Sequence, residues 1–294
     1  MISLKRNNKG EFVEAKGRRS RKSSIYQPNQ TEQFKLSRGK FEDFLSCQRC
    51  FYLDRVMGLV SPGMPGWALN SLTDELLKKE FDICRATGTP HRLFKESGLT
   101  DVVPFQHEDI DKWRDALRGG LQVPLEGSSI LLTGGVDDIW QDQKSGELIV
   151  VDYKSQASAY PVRAQSYLSG TYHQAYKRQL DFYVYLLQNM GYAVAPVAYF
   201  YVCNAQRERD GFFGVMNFDE TLVPYDWDSS WIPAKLEELL NVVNSDELPN
   251  ANTSCEQCAY ARERFIMEAE CLSCMPIATC VSPNMSSGKI IIGS

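Results

Sequence analysis

The sequence predicts an α/β domain in which helices surround a mixed β-sheet. Residues 134–156 read as two apolar stretches joined by the polar turn QDQKSG, a pattern typical of a β-hairpin. The second stretch contains the continuous apolar run Leu148-Ile149-Val150-Val151, which indicates a strand covered on both faces. Residues 173–190 instead have the apolar spacing of an amphipathic helix that ends at Gly191. Strand and helix patterns in one chain place it in the α/β or α+β class.

The remaining elements follow from capping residues, breakers and apolar periodicity. Ser37 and Asn70 are candidate N-caps, and Gly88 is a candidate helix stop. On this basis helices are predicted at residues 37–57, 70–86, 108–117, 173–190 and 229–243, and strands after the hairpin at residues 194–204 and 211–218.

Composition excludes several classes of protein. The chain has 294 residues, of which 43% are hydrophobic and 23% charged, as in an ordinary globular protein. No stretch approaches the roughly 20 apolar residues of a membrane helix, and the N-terminus lacks the apolar segment of a secretory signal. We therefore expect an intracellular, cytoplasmic protein. In that setting the nine cysteines are expected to be thiols or metal ligands rather than disulfides.

A basic segment precedes an acidic body. The net charge is −5, yet residues 1–24 carry eight Lys or Arg against Glu11 and Glu14. This segment could contact a phosphate backbone, or it could be a solvated leader without structure, since it has little apolar periodicity. We predict a disordered leader at residues 1–36.

Charged residues in and beside the hairpin strands predict a metal site. Asp137 and Asp152 lie on adjacent predicted strands and offer the hard oxygen ligands that Mg²⁺ prefers; the backbone carbonyl of Tyr153 would supply a third. Hydrolysis of a phosphodiester uses such an ion to neutralise developing charge and to lower the pKa of a water. Lys154 points to the same strand face as Asp152, where it could orient the nucleophile or stabilise the transition state. Asp138 is an alternate ligand.

Two polar residues of the long helix complete the candidate site. Gln179 and Tyr183 are spaced i and i+4, so both lie on one helix face that could close over the strands. Each of these charged or polar residues has an ordinary structural explanation on its own, such as a turn cap or a surface lysine. The combination of these residues favours a catalytic role.

The order of these elements resembles the PD-(D/E)xK nuclease superfamily. The matching motifs are Gly134-Gly135-Val136-Asp137, Val151-Asp152-Tyr153-Lys154, and Gln179 with Tyr183. They resemble in particular the RecB-like branch, which includes CRISPR-associated exonucleases with an iron–sulfur cluster. The glycine-containing motif favours Asp137 over Asp138 as the ligand.

The resemblance implies a restriction-endonuclease-like core at residues 37–264 and a Mg²⁺- or Mn²⁺-dependent deoxyribonuclease, with exonuclease action on DNA that is single-stranded or has free ends. DNA-repair or CRISPR-type proteins would be its partners. Residues 265–294 have no counterpart in the resemblance, and their role is open. Two other functions stay open as well: a non-catalytic nucleic-acid-binding module on the same scaffold, and a metal-stapled interaction subunit.

One position departs from the family pattern. RecB-like nucleases commonly carry a metal-binding His on an early helix, and GWALNSLTDELL places Asn70 in that position. An amide oxygen can also bind Mg²⁺, so Asn70 is a candidate ligand, with helix capping as the alternative. Asp74, one turn later, is the substitute ligand.

The cysteines form spaced pairs. There are two CxxC pairs, Cys47 with Cys50 and Cys255 with Cys258, separated by about 200 residues. The spacing within each pair suits a site with four thiolate ligands. Such a site would join the N- and C-terminal segments. The resemblance implies a [4Fe–4S] cluster, although the family usually divides its cysteines one and three; zinc and free thiols are the alternatives. Cys271, Cys274 and Cys280 could compete as ligands.

Overall fold

The computed structural model describes residues 2–63 and 66–273, with side chains up to residue 270. The chain divides into two compact units, Met1–Asn250 and Ala251–Ser294. The described helices are α1 Arg38–Ser46, α2 Gln48–Arg55, α3 Ala68–Thr87, α4 Arg92–Glu96, α5 Ile110–Arg114, α6 Ala164–Ser169, α7 Gln174–Asn189, α8 Ile232–Val243 and α9 Glu256–Ser273. The described strands are β1 Phe34–Ser37, β2 Val102–Pro104, β3 Leu121–Pro124, β4 Ile130–Gly134, β5 Asp138–Asp142, β6 Leu148–Gln156, β7 Val197–Ala205 and β8 Phe218–Asp226.

The strands of the first unit form two mixed sheets. The larger sheet has the order β2-β5-β6-β7-β8, and the smaller has the order β1-β4-β3. β5 and β6 form the predicted antiparallel hairpin, with Asp138 opposite Val151. β6 runs parallel to β7, and β1 runs parallel to β4, while the other pairs are antiparallel. The predicted α/β class with mixed sheets flanked by helices is confirmed.

Strand β6 is covered on both faces, as its apolar run predicts. Val150 packs in a core with residues of α1, α7 and α8, whereas Val151 packs in a second core that includes Phe81 of α3 and Phe94 of α4. Because successive side chains of a strand point to opposite faces, each face of β6 contributes to a different core. α7 contacts β3, β4 and β6, so it reaches both sheets.

Several boundaries differ from the sequence prediction. The helix predicted at residues 37–57 is divided into α1 and α2 because Cys47 has an extended backbone, with φ −158° and ψ 103°. α3 begins at Ala68 with Trp67 as its N-cap residue, so Asn70 lies inside the first turn and is not the cap. Gly88 ends the helix in the left-handed conformation, as predicted.

The strand predicted at residues 211–218 is wrong. Only Phe218 belongs to a strand, and β8 continues to Asp226. Phe213 has φ +43° and Gly214 has φ +75°, values in the left-handed region that no strand can contain. The apolar residues of this stretch therefore belong to the loop before β8.

Part of the predicted leader packs on the domain. The amide of Arg19 donates to the carbonyl of Gly58 at 2.7 Å, and the guanidinium of Arg19 forms an ion pair with Asp54. Tyr26 is 2% exposed and its hydroxyl donates to Asn244 Oδ1 at 3.0 Å. β1 begins at Phe34. The domain boundaries at residues 36 and 264 stay predictions.

Among the described residues, no helix combines the length and the apolar character that a bilayer crossing needs.

Candidate active site

The candidate site lies on one face of the larger sheet, beneath α7. Asp152 and Lys154 are alternate residues of β6, so their side chains share the face to which Val150 also belongs. Asp137 directly precedes β5, the antiparallel neighbour of β6. Asp152 is fully buried, whereas Lys154 and Asp137 are half-buried. Two neighbouring strands thus bring a pair of carboxylates and an ammonium together.

Hydrogen bonds order the carboxylates. Asp137 Oδ2 accepts from the backbone amide of Tyr153 at 2.8 Å. Asp152 Oδ1 accepts from Gln179 Nε2 at 2.7 Å, and Gln179 Nε2 also lies 3.0 Å from the hydroxyl oxygen of Tyr183. Lys154 forms an ion pair with Asp152, and its Nζ is 3.5 Å from Gln179 Oε1. The helix residues Gln179 and Tyr183 therefore form one connected group with the strand residues.

Electrostatics show an excess of negative charge in the site. Burial and the charge of Asp152 raise the pKa of Asp137, despite the opposing charges of Lys154 and Lys78. Burial by itself would lower the pKa of Lys154, but the charges of Asp152 and Asp137 outweigh it and raise that pKa. Lys154 is thus held as an ammonium between two acids, and one positive charge does not balance them.

Helix α3 places the carboxyl group of Asp74 near Asp137. Burial and the charge of Asp137 raise the pKa of the Asp74 carboxyl, which shows that these acids lie near each other. Asp74 accepts a hydrogen bond from Lys78 Nζ at 2.9 Å. Asn70 is exposed on the first turn of the same helix. Its role as a ligand stays a prediction, and Asp74 is the residue that the electrostatics favour.

Asp138 belongs to a different, fully buried network on the opposite face. Its carboxylate forms an ion pair with Arg85 of α3 and accepts from the hydroxyl of Tyr153 at 2.8 Å. Burial raises the pKa of Asp138, and the charges of Arg85 and Arg114 oppose this effect. Asp138 therefore supports Tyr153, whose backbone amide in turn donates to Asp137.

Two glycines before Asp137 permit close packing. A Cβ atom on Gly134 would lie 2.8 Å from the ring of Tyr183, and one on Gly135 would lie 2.6 Å from the backbone of Ala116. Side chains at either position would displace α7 or the segment after α5. The glycine pair therefore lets Tyr183 pack directly on the strand that leads to Asp137.

Sequence reasoning missed two aromatic residues, one near Lys154 and one near Asp152. Lys154 Nζ lies 4.5 Å from the ring centroid of Tyr176, which precedes Gln179 by three residues and shares its helix face. The hydroxyl of Tyr167 is buried and makes no hydrogen bond among the described residues. Helical spacing from Gln179 could have identified Tyr176; no sequence signal indicates Tyr167.

A model of the PD-(D/E)XK nuclease superfamily matches residues 66–262, about two thirds of the chain. The chain belongs to this superfamily. The matched range contains α3, the β5–β6 hairpin and α7, which are the elements that carry the candidate site of this PD-(D/E)XK protein.

Two further comparisons give less information about this chain. A solved structure of a "Putative exonuclease" from Eubacterium rectale is 16% identical to this PD-(D/E)XK protein, covers 77% of the chain and 87% of its own, and has a TM-score of 0.37. No curated protein matches the chain at a significant level.

Four cysteines form a group of thiols. The Sγ atoms of Cys47, Cys50, Cys255 and Cys258 all lie within 4.8 Å of one another. Cys47 is buried and the other three are half-buried. The predicted four-cysteine group is confirmed. Cys274 and Cys280 lie outside the described residues, as does the side chain of Cys271.

Proposed function

We propose that this chain is a divalent-metal-dependent nuclease that hydrolyses the phosphodiester bonds of DNA. One observation carries the proposal: Asp137, Asp152 and Lys154 lie together at two adjacent strands, where Gln179 donates to Asp152 and to the hydroxyl of Tyr183. A scaffold retained only for packing has no need of this trio, in which burial and the charge of Asp152 raise the pKa of Asp137 and the two acids raise the pKa of Lys154 against its burial.

The donor set fits Mg²⁺ or Mn²⁺. Asp137 and Asp152 offer carboxylate oxygens, the ligands that these hard ions prefer. The raised pKa of Asp137, caused by burial and by the charge of Asp152, shows that the pair lacks positive charge. We propose Asp137 and Asp152 as ligands, with the carbonyl of Tyr153 and the carboxylate of Asp74 as further oxygens. A bound divalent ion would supply charge neutralisation and water activation.

The other residues act by position and charge. We propose that the ammonium of Lys154 stabilises the charge that develops on the phosphate or orients the attacking water. Gln179 positions the side chains of Asp152 and Lys154, because its side-chain amide contacts both of them. Tyr183 stays a neutral partner of Gln179, since burial raises its pKa.

We propose DNA as the substrate and exonuclease action from free ends. The order of motifs, which resembles the RecB-like branch, supports both. The test uses end-labelled linear and circular DNA, single- and double-stranded, and matched RNA, each with Mg²⁺, Mn²⁺ or EDTA. Release of labelled nucleotides from linear DNA, with circles intact and EDTA inhibitory, is the expected result. Absence of metal-dependent cleavage of any of these nucleic acids would leave the binding-module alternative.

We propose that Cys47, Cys50, Cys255 and Cys258 hold a [4Fe–4S] cluster. Their thiols are close together, and two CxxC pairs are a thiolate arrangement that such clusters use. Zinc is the second candidate, because four thiolates at about 2.3 Å from one Zn²⁺ also fit the observed spacing.

A further inference from the structure

A groove of two adjoining cavities lies next to the candidate site. The first, of about 330 Å³, follows the end of β6 and is lined by Gln156, Ser158, Tyr160, Arg163, Tyr167 and His173 among others. The second, of about 340 Å³, shares Ser158, Tyr160 and Pro161 with the first and adds two basic and two acidic residues, Arg207, Arg209, Glu208 and Asp219. Each cavity has a volume in the range of small-ligand sites.

An aromatic stack connects the first cavity to Lys154. The rings of Tyr167 and His173 stack at 4.0 Å, and those of His173 and Tyr176 at 5.3 Å. Tyr176 in turn lies under Lys154 Nζ at 4.5 Å. Because His173 and Tyr167 line the cavity, this stack of three rings connects the wall of the cavity to Lys154, which is ion-paired with Asp152.

The first cavity is suited to a polyanion. Its lining contains Arg163 and His173 and no acidic residue. Arg163 is exposed, and among the described residues its guanidinium has no carboxylate partner. A guanidinium without a carboxylate partner beside the site is available to a phosphate.

Tyr160 stands between the two cavities and is suited to stack on a base. It lines both of them and is 80% exposed, so its ring is not part of either core. Exposed aromatic rings next to cationic side chains bind unpaired bases by stacking, which a base-paired duplex does not permit. An exposed ring such as that of Tyr160 therefore favours the binding of a single strand over a double helix.

We propose that this groove binds a single strand of nucleic acid beside the bond that is cleaved, with Tyr160 stacked on a base and Arg163 paired with a phosphate. The inference rests on the proposed nuclease function and adds to it the residues of this chain that would hold a single strand. Gln156 and Ser158 supply neutral hydrogen-bonding groups along the same path.

The test measures binding apart from cleavage. A fluorescein-labelled single strand of about 12 nucleotides is titrated in EDTA with wild type, Tyr160→Ala and Arg163→Gln, with fluorescence anisotropy as the readout. The matched controls are Tyr172→Ala, 89% exposed and outside both cavities, and Arg118→Gln, also exposed and outside them. We expect Tyr160→Ala to raise Kd roughly tenfold for the single strand and under about twofold for a duplex.

Arg163→Gln should also weaken binding and reduce the slope of log K against log salt by about 0.7, the value for one phosphate contact on a single strand. Both substitutions are at exposed residues, and an unchanged Tm would verify folding. If Tyr160→Ala and Arg163→Gln bind like their controls, or weaken duplex binding equally, the groove proposal is overturned. DNA and RNA strands tested in parallel give the sugar preference.

Cleavage separates this inference from the proposed function. We expect Tyr160→Ala to raise KM for a single-stranded substrate while kcat stays within about twofold, because stacking away from the reacting phosphate is equal in ground and transition states. Hydrolysis of bis(p-nitrophenyl) phosphate, which is too small to reach Tyr160, should not change. If wild type hydrolyses neither substrate, the nuclease proposal fails, whereas the anisotropy data still decide the groove.

Discussion

At the scale of single residues, Lys154 is the group on which the proposed chemistry depends most. Its ammonium is ion-paired with Asp152, lies over the ring of Tyr176, and is held charged by its two acidic neighbours. No other cation forms an ion pair with Asp152 in the described part of the chain. Its loss should therefore leave Asp152 without an ion pair and remove the charge proposed to act in the transition state.

We predict that Lys154→Ala lowers kcat/KM on DNA by about 10²–10³-fold or more, because it removes a group needed in the transition state. DNA affinity should stay close to wild type, and an unchanged circular dichroism spectrum would verify the fold. Lys144→Ala is the control, since Lys144 is 75% exposed and pairs with Asp101 on the surface. Steady-state rates with labelled DNA provide the measurement, and wild-type turnover in Lys154→Ala would refute the mechanism.

The carboxylate of Asp54 is expected to stabilise the folded protein in a pH-dependent way. Burial would raise its pKa, but hydrogen bonds from Lys40 and Arg19 and the charge of Arg55 outweigh burial and hold the pKa below its usual value. A carboxyl with a depressed folded-state pKa contributes stability that is present above its unfolded pKa and is lost as the pH falls through the folded pKa.

We therefore predict that Asp54→Asn costs about 1–3 kcal/mol of unfolding free energy near neutral pH, and that its difference from wild type shrinks below about pH 4. Chemical denaturation over this pH range measures both. Asp43→Asn is the matched control, because Asp43 also pairs with Lys40 but is 50% exposed, and it should cost under about 1 kcal/mol. A pH-independent deficit in Asp54→Asn would contradict the assignment.

At the scale of elements, a buried ion pair connects α3 to the hairpin strand β5. The side chain of Arg85 is 7% exposed and that of Asp138 is 0% exposed. Arg85 also donates to the carbonyl of Phe105 at 2.8 Å. Because β5 begins one residue after Asp137, this pair helps to position the start of the strand that carries the site.

We predict that Arg85→Met destabilises the protein by roughly 3–5 kcal/mol, since it leaves the Asp138 carboxylate buried without its closest cation. Arg85→Lys should recover part of the loss. Asp111→Asn, which removes an 89% exposed partner of the neighbouring Arg114, should change stability by under about 1 kcal/mol. Urea unfolding of the three variants is the measurement. A small loss in Arg85→Met would show that the pair is not important for stability.

At the scale of the whole molecule, the four-cysteine group is expected to contribute to stability. Metal binding by thiolates contributes free energy to folding, so each of the four residues should matter for the stability of the loaded protein. Cys84 and Cys203 lie on α3 and β7 and are not members of the group.

We predict that protein purified without oxygen is brown, with the broad visible absorption of thiolate-to-iron charge transfer and about four iron atoms per chain. Serine at position 47, 50, 255 or 258 should abolish the colour and lower Tm, whereas Cys84→Ser should retain the metal. Elemental analysis distinguishes the outcomes. Colourless protein with stoichiometric zinc would replace the cluster by the second candidate, and protein without either metal would reject both.

The sequence by itself determined the α/β class, the β5–β6 hairpin, the long helix α7 and the order of motifs that indicates the superfamily. These features depend on local periodicity and on neighbours along the chain, such as the i, i+4 relation of Gln179 and Tyr183. The sequence also predicted that Cys47, Cys50, Cys255 and Cys258 form one group, because CxxC pairs in a chain expected to be intracellular indicate a metal site rather than disulfides.

Only the tertiary structure decided which neighbours the acidic residues have. Asp137 and Asp138 are adjacent in sequence, yet one faces Asp152 and Lys78 and the other is buried against Arg85. The electrostatic relation of Asp74 to Asp137 and the position of Lys154 over the ring of Tyr176 likewise come from residues distant in the chain. Such contacts depend on how α3 and α7 pack on the sheet, and long-range packing leaves no periodic signal in the sequence.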